Sequence, residues 1–273
     1  MGTSMSSKGP NGTNPLVPPW AQDGDSVVIS DENGNESEMS NDEVQDKVEG
    51  PIPTEVNPTR FTAARRAFGE YAKSGRTQDL KKSLQKYSSN STGKGRGFSK
   101  RMASGVTAGT GLYGLLTGGT VTTTNGTLNL SNLSGLSVDQ AIDQISELLT
   151  PLSADADNVR SAINFALSEA IEDCEEFDDV TFTPELTGQI FTYYLTDLIF
   201  QQVVIDMGKA WFKAETPIRQ IKMETELREL IKMIVDVKLD KETNGDFSNI
   251  SNNQISQIQI AAIQETINEW ENF

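Results

Sequence analysis

The sequence predicts an all-α fold, a helical bundle-like body behind a long disordered N-terminal tail. Two observations carry that expectation. From residue 57 onward, apolar side chains recur at three- and four-residue spacing, in segments bounded by the Ser, Thr, Pro and Gly residues that start and stop helices. Residues 1–56 show no such period and are dominated by Gly, Pro, Asn, Ser and acidic residues. A stretch of that kind buries too little apolar surface to offset the entropy of ordering it.

Within the tail, two islands stand out: Pro15-Leu16-Val17-Pro18-Pro19-Trp20 and Val27-Val28-Ile29. Each reads as a short linear motif or a lone extended segment that docks onto something. Residues 57–118 form a basic helical segment. Asn57-Pro58-Thr59 starts a helix carrying Phe61, Ala64, Phe68 and Tyr71, Gly75 ends it, and Leu80, Leu84 and Tyr87 mark a second. Ser88–Gly97 reads as a polar, glycine-rich loop. Met102–Leu116 suits a helix whose small face (Ala103, Gly105, Ala108, Gly109) lets a neighbour approach closely. Residues 119–136 read as an irregular or hairpin-like connection, with Asn125-Gly126 as the turn signal.

Residues 137–273 form an acidic helical domain. Ser137 caps a helix ended by Pro151, and Ser153 starts the next. Thr183-Pro184 opens a long helix expected to reach Lys213, apolar on both flanks and therefore the most buried of the set. Proline at the first helical position removes a donor that would have no partner there. Pro217 starts another helix, broken by Asn244-Gly245, and Ile255, Ile258, Ala262, Ile263, Ile267 and Trp270 form the last amphipathic face.

Composition narrows the chemistry. The chain has no histidine and a single cysteine, Cys174. Ser-His-Asp and Cys-His nucleophiles are thereby excluded, as are an internal disulfide and a thiolate zinc cluster. With no signal peptide, a cytoplasmic location is expected. The uncharged run from Met102 to Val138 is too rich in Gly and Thr to span a membrane. The net charge of −16 is uneven: residues 1–59 hold two basic and eleven acidic side chains, residues 60–101 twelve and two, and residues 102–273 nine and twenty-six. The basic block either binds an anionic partner or folds back onto the chain's own acidic parts.

Each motif has a plain reading beside a functional one. Gly109-Thr110-Gly111-Leu112-Tyr113-Gly114 matches G-x-G-x-x-G, but a dinucleotide site needs a strand before the glycines, and helical residues precede them here. Close helix packing is the better reading, and no cofactor is expected. Lys94, Arg96, Lys100 and Arg101, with Arg65 and Arg66 on the preceding helix, are candidates for anion or nucleic-acid binding. The carboxylates between Glu169 and Asp179 spread around a helix end and do not converge on a metal. Gly2–Ser6 also fits the myristoylation pattern, although one acyl chain on an acidic tail gives little membrane affinity. No membrane partner is expected.

The N-terminal Met1-Gly2-Thr3-Ser4, Gly9-Pro10 and Pro15–Ala21, with the later Lys94–Arg101 run and Tyr113-Gly114, resemble the QatB family, the B component of the Qat antiphage defence system. The resemblance implies a bacterial operon with three partners: an ATPase, a QueC-like enzyme and a TatD-like nuclease. It further implies a non-enzymatic protein whose Gly2, exposed once Met1 is removed, accepts a deazaguanine-type group from the QueC-like partner. Thr3, Ser4, Gly9, Pro10, Pro15, Leu16, Pro18, Pro19 and Trp20 would then form the handle that partner recognises. An α-amino group, with a pKa of about 8, is a better nucleophile near neutrality than lysine. Two alternatives stand beside this: an unmodified adaptor that uses the tail only as a docking peptide, and a nucleic-acid or nucleotide module built on residues 60–101.

Overall fold

The computed structural model describes residues 26–31, 34–40, 59–91, 94–171 and 174–273. Nine α-helices among them build the body, as expected, and a small antiparallel sheet is added to one side. The helices are α1 (Thr62–Ser74), α2 (Thr77–Asn90), α3 (Lys94–Arg101), α4 (Ala103–Leu116), α5 (Val138–Leu149), α6 (Ala156–Ala170), α7 (Pro184–Met207), α8 (Pro217–Thr243) and α9 (Asn252–Glu271).

Most boundaries fall where local chemistry sets them. Ser137 and Ser251 each accept a backbone N–H three residues on, while Gln140 and Gln254 return the bond to the cap's own N–H. Thr183 and Thr216 cap helices that have Pro184 and Pro217 in their first turn. Gly75 (φ 71°) closes α1, and Asn244 (φ 53°) closes α8 in the left-handed region.

Four expectations are corrected. First, part of the segment read as disordered is ordered: Ser26–Ser30 (β1) and Glu36–Ser40 (β2) pair antiparallel, and β1 also pairs with Thr120–Thr123 (β3). Gly126–Leu128 (β4) completes the order β2-β1-β3-β4, so the hairpin at Asn125-Gly126 is real. The Val27–Ile29 island does dock, but onto this chain: Val27 and Ile29 are both 5% exposed and face α4. Second, Lys94–Arg101 is a helix and not part of a loop. Its glycines serve close approach, because a Cβ on Gly95 would lie 2.8 Å from the Gln264 carbonyl oxygen of α9. Third, the long helix stops at Met207, and Gly208 (φ 51°) turns the chain into a 3-10 segment, Gly208–Lys213.

Fourth, the most buried helix is α4, not α7. All fourteen of its residues are buried. A Cβ on Gly114 would meet Ile29 Cγ2 at 2.7 Å, and one on Gly111 would meet Leu149 Cδ2 at 2.8 Å. The G-x-G-x-x-G run therefore lies inside a helix, where its glycines let β1 and α5 close onto α4. One hydrophobic cluster runs from Val27 through α1–α9 to Trp270. Its ring contacts include two groups, Phe61, Phe98 and Trp270 around Tyr87, and Phe68 and Phe200 around Trp211.

Candidate functional site

The proposed acceptor Gly2 and its handle (Thr3, Ser4, Gly9, Pro10, Pro15, Leu16, Pro18, Pro19 and Trp20) lie outside the described residues. What the structure places is the point from which that segment departs, Ser26 at the start of β1. β1 is an inner strand, bonded on both edges and clamped against α4 through Val27 and Ile29.

The basic residues divide into three groups. Arg101 turns inward. Its two terminal nitrogens donate to the Asp206 carboxylate at 3.2 and 3.0 Å, and its guanidinium lies 5.2 Å from the Phe98 ring centre. The Tyr87 hydroxyl donates to the same carboxylate at 2.7 Å, Gln202 adds a bond at 3.3 Å, and Arg65 Nε donates to the Asp206 backbone carbonyl at 2.8 Å. Burial, then the Asp206 charge, holds the Tyr87 phenol well above its ordinary pKa. Burial works against the charge on Arg101, but Tyr87 and Asp206 outweigh it and its pKa is raised. Arg60, 4.4 Å above Phe61, is pulled down by burial and by repulsion from Arg101. This cluster ties α1, α2 and α3 to the end of α7, which is a structural use of charge.

A second group lies on α3. Lys94 pairs with Glu271 at 3.0 Å, Arg96 is exposed, and Lys100 is half-buried. The third group lies on α1, where Arg65 and Arg66 face outward; Arg66 makes only a long contact to Glu70, at 3.8 Å. They open onto a groove of about 750 Å³ with Lys73, Lys209 and Lys213, three cations that no local pattern joins to them. The six candidates thus do not form one binding face. Arg101 is committed to Asp206, Lys94 to Glu271, and only Arg65 and Arg66 share a concavity.

A second groove of about 770 Å³ runs between the β1–β2 hairpin and the loop at residues 247–253. It contains the carboxylates of Asp31 and Glu36 and no cation. Tyr113 braces it, its hydroxyl donating to the Phe247 carbonyl at 2.8 Å and accepting from the Ile250 amide at 3.1 Å. Elsewhere, Asp197 is fully buried against Arg228, whose guanidinium covers Phe200 at 3.9 Å. Desolvation raises the Asp197 pKa despite that partner. Among the described residues, no three His, Cys, Asp or Glu side chains are grouped to hold a metal ion, and no helix is long and apolar enough to cross a membrane.

Comparison with known families places this arrangement. The family described as "Qat anti-phage system associated protein QatB" matches residues 93–269, from the start of α3 almost to the end of α9. No curated protein and no solved structure matches the chain. The match falls on the helical body, and the glycine-rich α3 and the buried α4 lie within it. The N-terminal motif that suggested the resemblance lies before it. With more than half of its 273 residues covered, the chain belongs to the QatB family and is a component of the Qat anti-phage defence system.

Proposed function

We propose that this protein is the substrate of a modification and not the enzyme that makes it. Gly2 accepts a deazaguanine-type group: its α-amino nitrogen attacks that group's carboxyl carbon, activated as an adenylate from ATP by a QueC-like partner, and an amide forms as AMP and a proton leave, while the helical body docks the ATPase and the TatD-like nuclease of the same operon. The family membership of the body supports this reading. So does the anchoring of β1: the segment that would carry the acceptor departs from an inner strand of the sheet and not from a loose end. Twenty-three residues lie between Gly2 and Ser26. At roughly 3.5 Å per residue they set an upper reach of about 80 Å. That reach suffices for the amine to enter a partner's buried site while the body stays docked.

Chemically, the acceptor is well chosen. The α-amine is partly unprotonated near neutrality, and glycine brings no side chain to obstruct a narrow active site. The test is co-expression with the QueC-like partner, followed by intact mass measurement and a phage challenge. The expected result is a mass above that of the Met1-less chain, with adduct and protection both lost when Gly2 is replaced by a bulky residue. An unmodified mass, with protection intact in the Gly2 variant, would overturn the proposal and leave the docking adaptor. That alternative predicts partner capture that depends on Pro15–Trp20 alone.

A further inference from the structure

The groove between α1 and the 3-10 segment carries charge that the fold uses only in part: Arg65 gives its Nε to the Asp206 carbonyl and Arg66 has a long contact to Glu70. Arg65, Arg66 and Lys73 come from one face of α1, and Lys209 and Lys213 come from the opposite wall, with Glu70 the only carboxylate among the lining residues. All five cations are exposed. Lys73, Lys209 and Lys213 make no ion pair among the described residues. The two walls are in contact: a Cβ on Gly69 would lie 3.3 Å from Lys213 Cδ and 3.5 Å from its ammonium nitrogen. The bare backbone of Gly69 gives Lys213 room to lie against α1.

In a chain with 39 acidic and 23 basic residues, five cations gathered in one concavity repel each other with little local compensation. A bound anion removes that cost. Beside them stands Phe212, between the buried Trp211 and the groove's own Lys213. It is 69% exposed, and no other aromatic side chain among the described residues is classed as exposed. Its neighbour Trp211 packs inward against Phe68 and Phe200. A cationic groove whose lining residue Lys213 is preceded in the chain by an exposed ring, itself outside the groove's lining, offers the two elements a single nucleic-acid strand uses: phosphates on the cations and a base stacked on the ring.

We infer that this groove binds single-stranded nucleic acid through its sugar-phosphate backbone, with Phe212 stacking on one base. The site differs from the basic run at Lys94–Arg101, whose Arg101 is spent on Asp206.

The experiment uses the full chain and a fluorescein-labelled oligothymidylate of about 15 nucleotides, followed by anisotropy from 50 to 300 mM NaCl. Affinity is expected to fall with salt, with a log–log slope of about −0.7 per phosphate contacted and three to five such contacts. Lys209→Glu with Lys213→Glu should lower affinity at least tenfold and flatten the slope. Phe212→Ala should lower it roughly tenfold, the order expected for one stacked base, and leave the slope unchanged. Lys94→Glu with Arg96→Glu should change it less than twofold. Thermal melts verify that each variant folds, and Lys209→Gln with Lys213→Gln replaces the charge reversal if that variant melts early. Absence of binding by the wild type at 50 mM NaCl would overturn the inference. So would displacement by poly-glutamate of equal charge together with no effect of Phe212→Ala, which would assign the groove to an acidic polypeptide. Tighter binding of a duplex of the same length would overturn the stacking role.

Discussion

Arg101→Ala separates structural from binding use of the basic segment. The change removes both charged bonds to Asp206, a carboxylate whose side chain is only 10% exposed, and strips the cover from Phe98. Removing one partner of a buried ion pair costs about 3–5 kcal/mol, because the other charge stays buried without compensation. Two features place this case at the lower end. The Arg101 side chain is itself 28% exposed, and Tyr87 and Gln202 continue to bond the carboxylate. A loss of about 3 kcal/mol follows; at roughly 2–4 °C per kcal/mol for a domain of this size, the Tm should fall by about 6–12 °C. Urea denaturation with an unchanged m-value is the assay. The internal comparison is Lys94→Ala, which breaks an exposed pair and should cost less than about 1 kcal/mol. Equal costs for the two variants would refute the reasoning, since the Asp206 cluster would then be a surface contact.

Other outcomes follow from the same structure. Gly95→Ala should cost about 1–3 kcal/mol in a urea melt, because its methyl meets the α9 backbone at Gln264 and α3 must move away; Arg96→Ala, one residue on and exposed, should be near neutral. Ile29→Ala should cost about 2–5 kcal/mol if β1 is integral to the core, and a change within 0.5 kcal/mol would make the sheet dispensable. Burial raises the folded-state pKa of Tyr71, Tyr87, Tyr113 and Tyr194. Their contribution is fully present below pH 10 and declines as pH rises above it, where the unfolded chain sheds protons that the folded chain keeps. The decline is up to about 1.4 kcal/mol per pH unit for each tyrosine. Tyr87→Phe should reduce that slope by one tyrosine's share, and a stability curve flat from pH 10 to 11.5 would contradict the assignment.

The helices of the body were legible in the sequence because their signals are local. Ser137, Thr183-Pro184, Pro217 and Asn244-Gly245 mark real boundaries, since caps and breakers act within one turn. The sheet was not legible as a sheet. Glu36–Ser40 presents only Met39 to the core, and the inner strand's second partner lies some ninety residues away at Thr120–Thr123. Lys94–Gly97 has a loop's composition, yet α3 forms there because Gly95 can reach the α9 backbone, and no local signal reports that contact. The same distance effect split the basic residues. Arg101 finds Asp206 105 positions on, and Lys209 and Lys213 join Arg65 and Arg66 only through the turn at Gly208.

The central claim, that this QatB-family chain is modified at its N-terminus, is tested most directly by mass spectrometry of the protein purified from its complete operon. The intact mass should exceed that of the Met1-less chain, and fragmentation of the N-terminal peptide should place the whole increment on Gly2. A Met1-less mass without increment, or an increment on any other residue, would contradict the account.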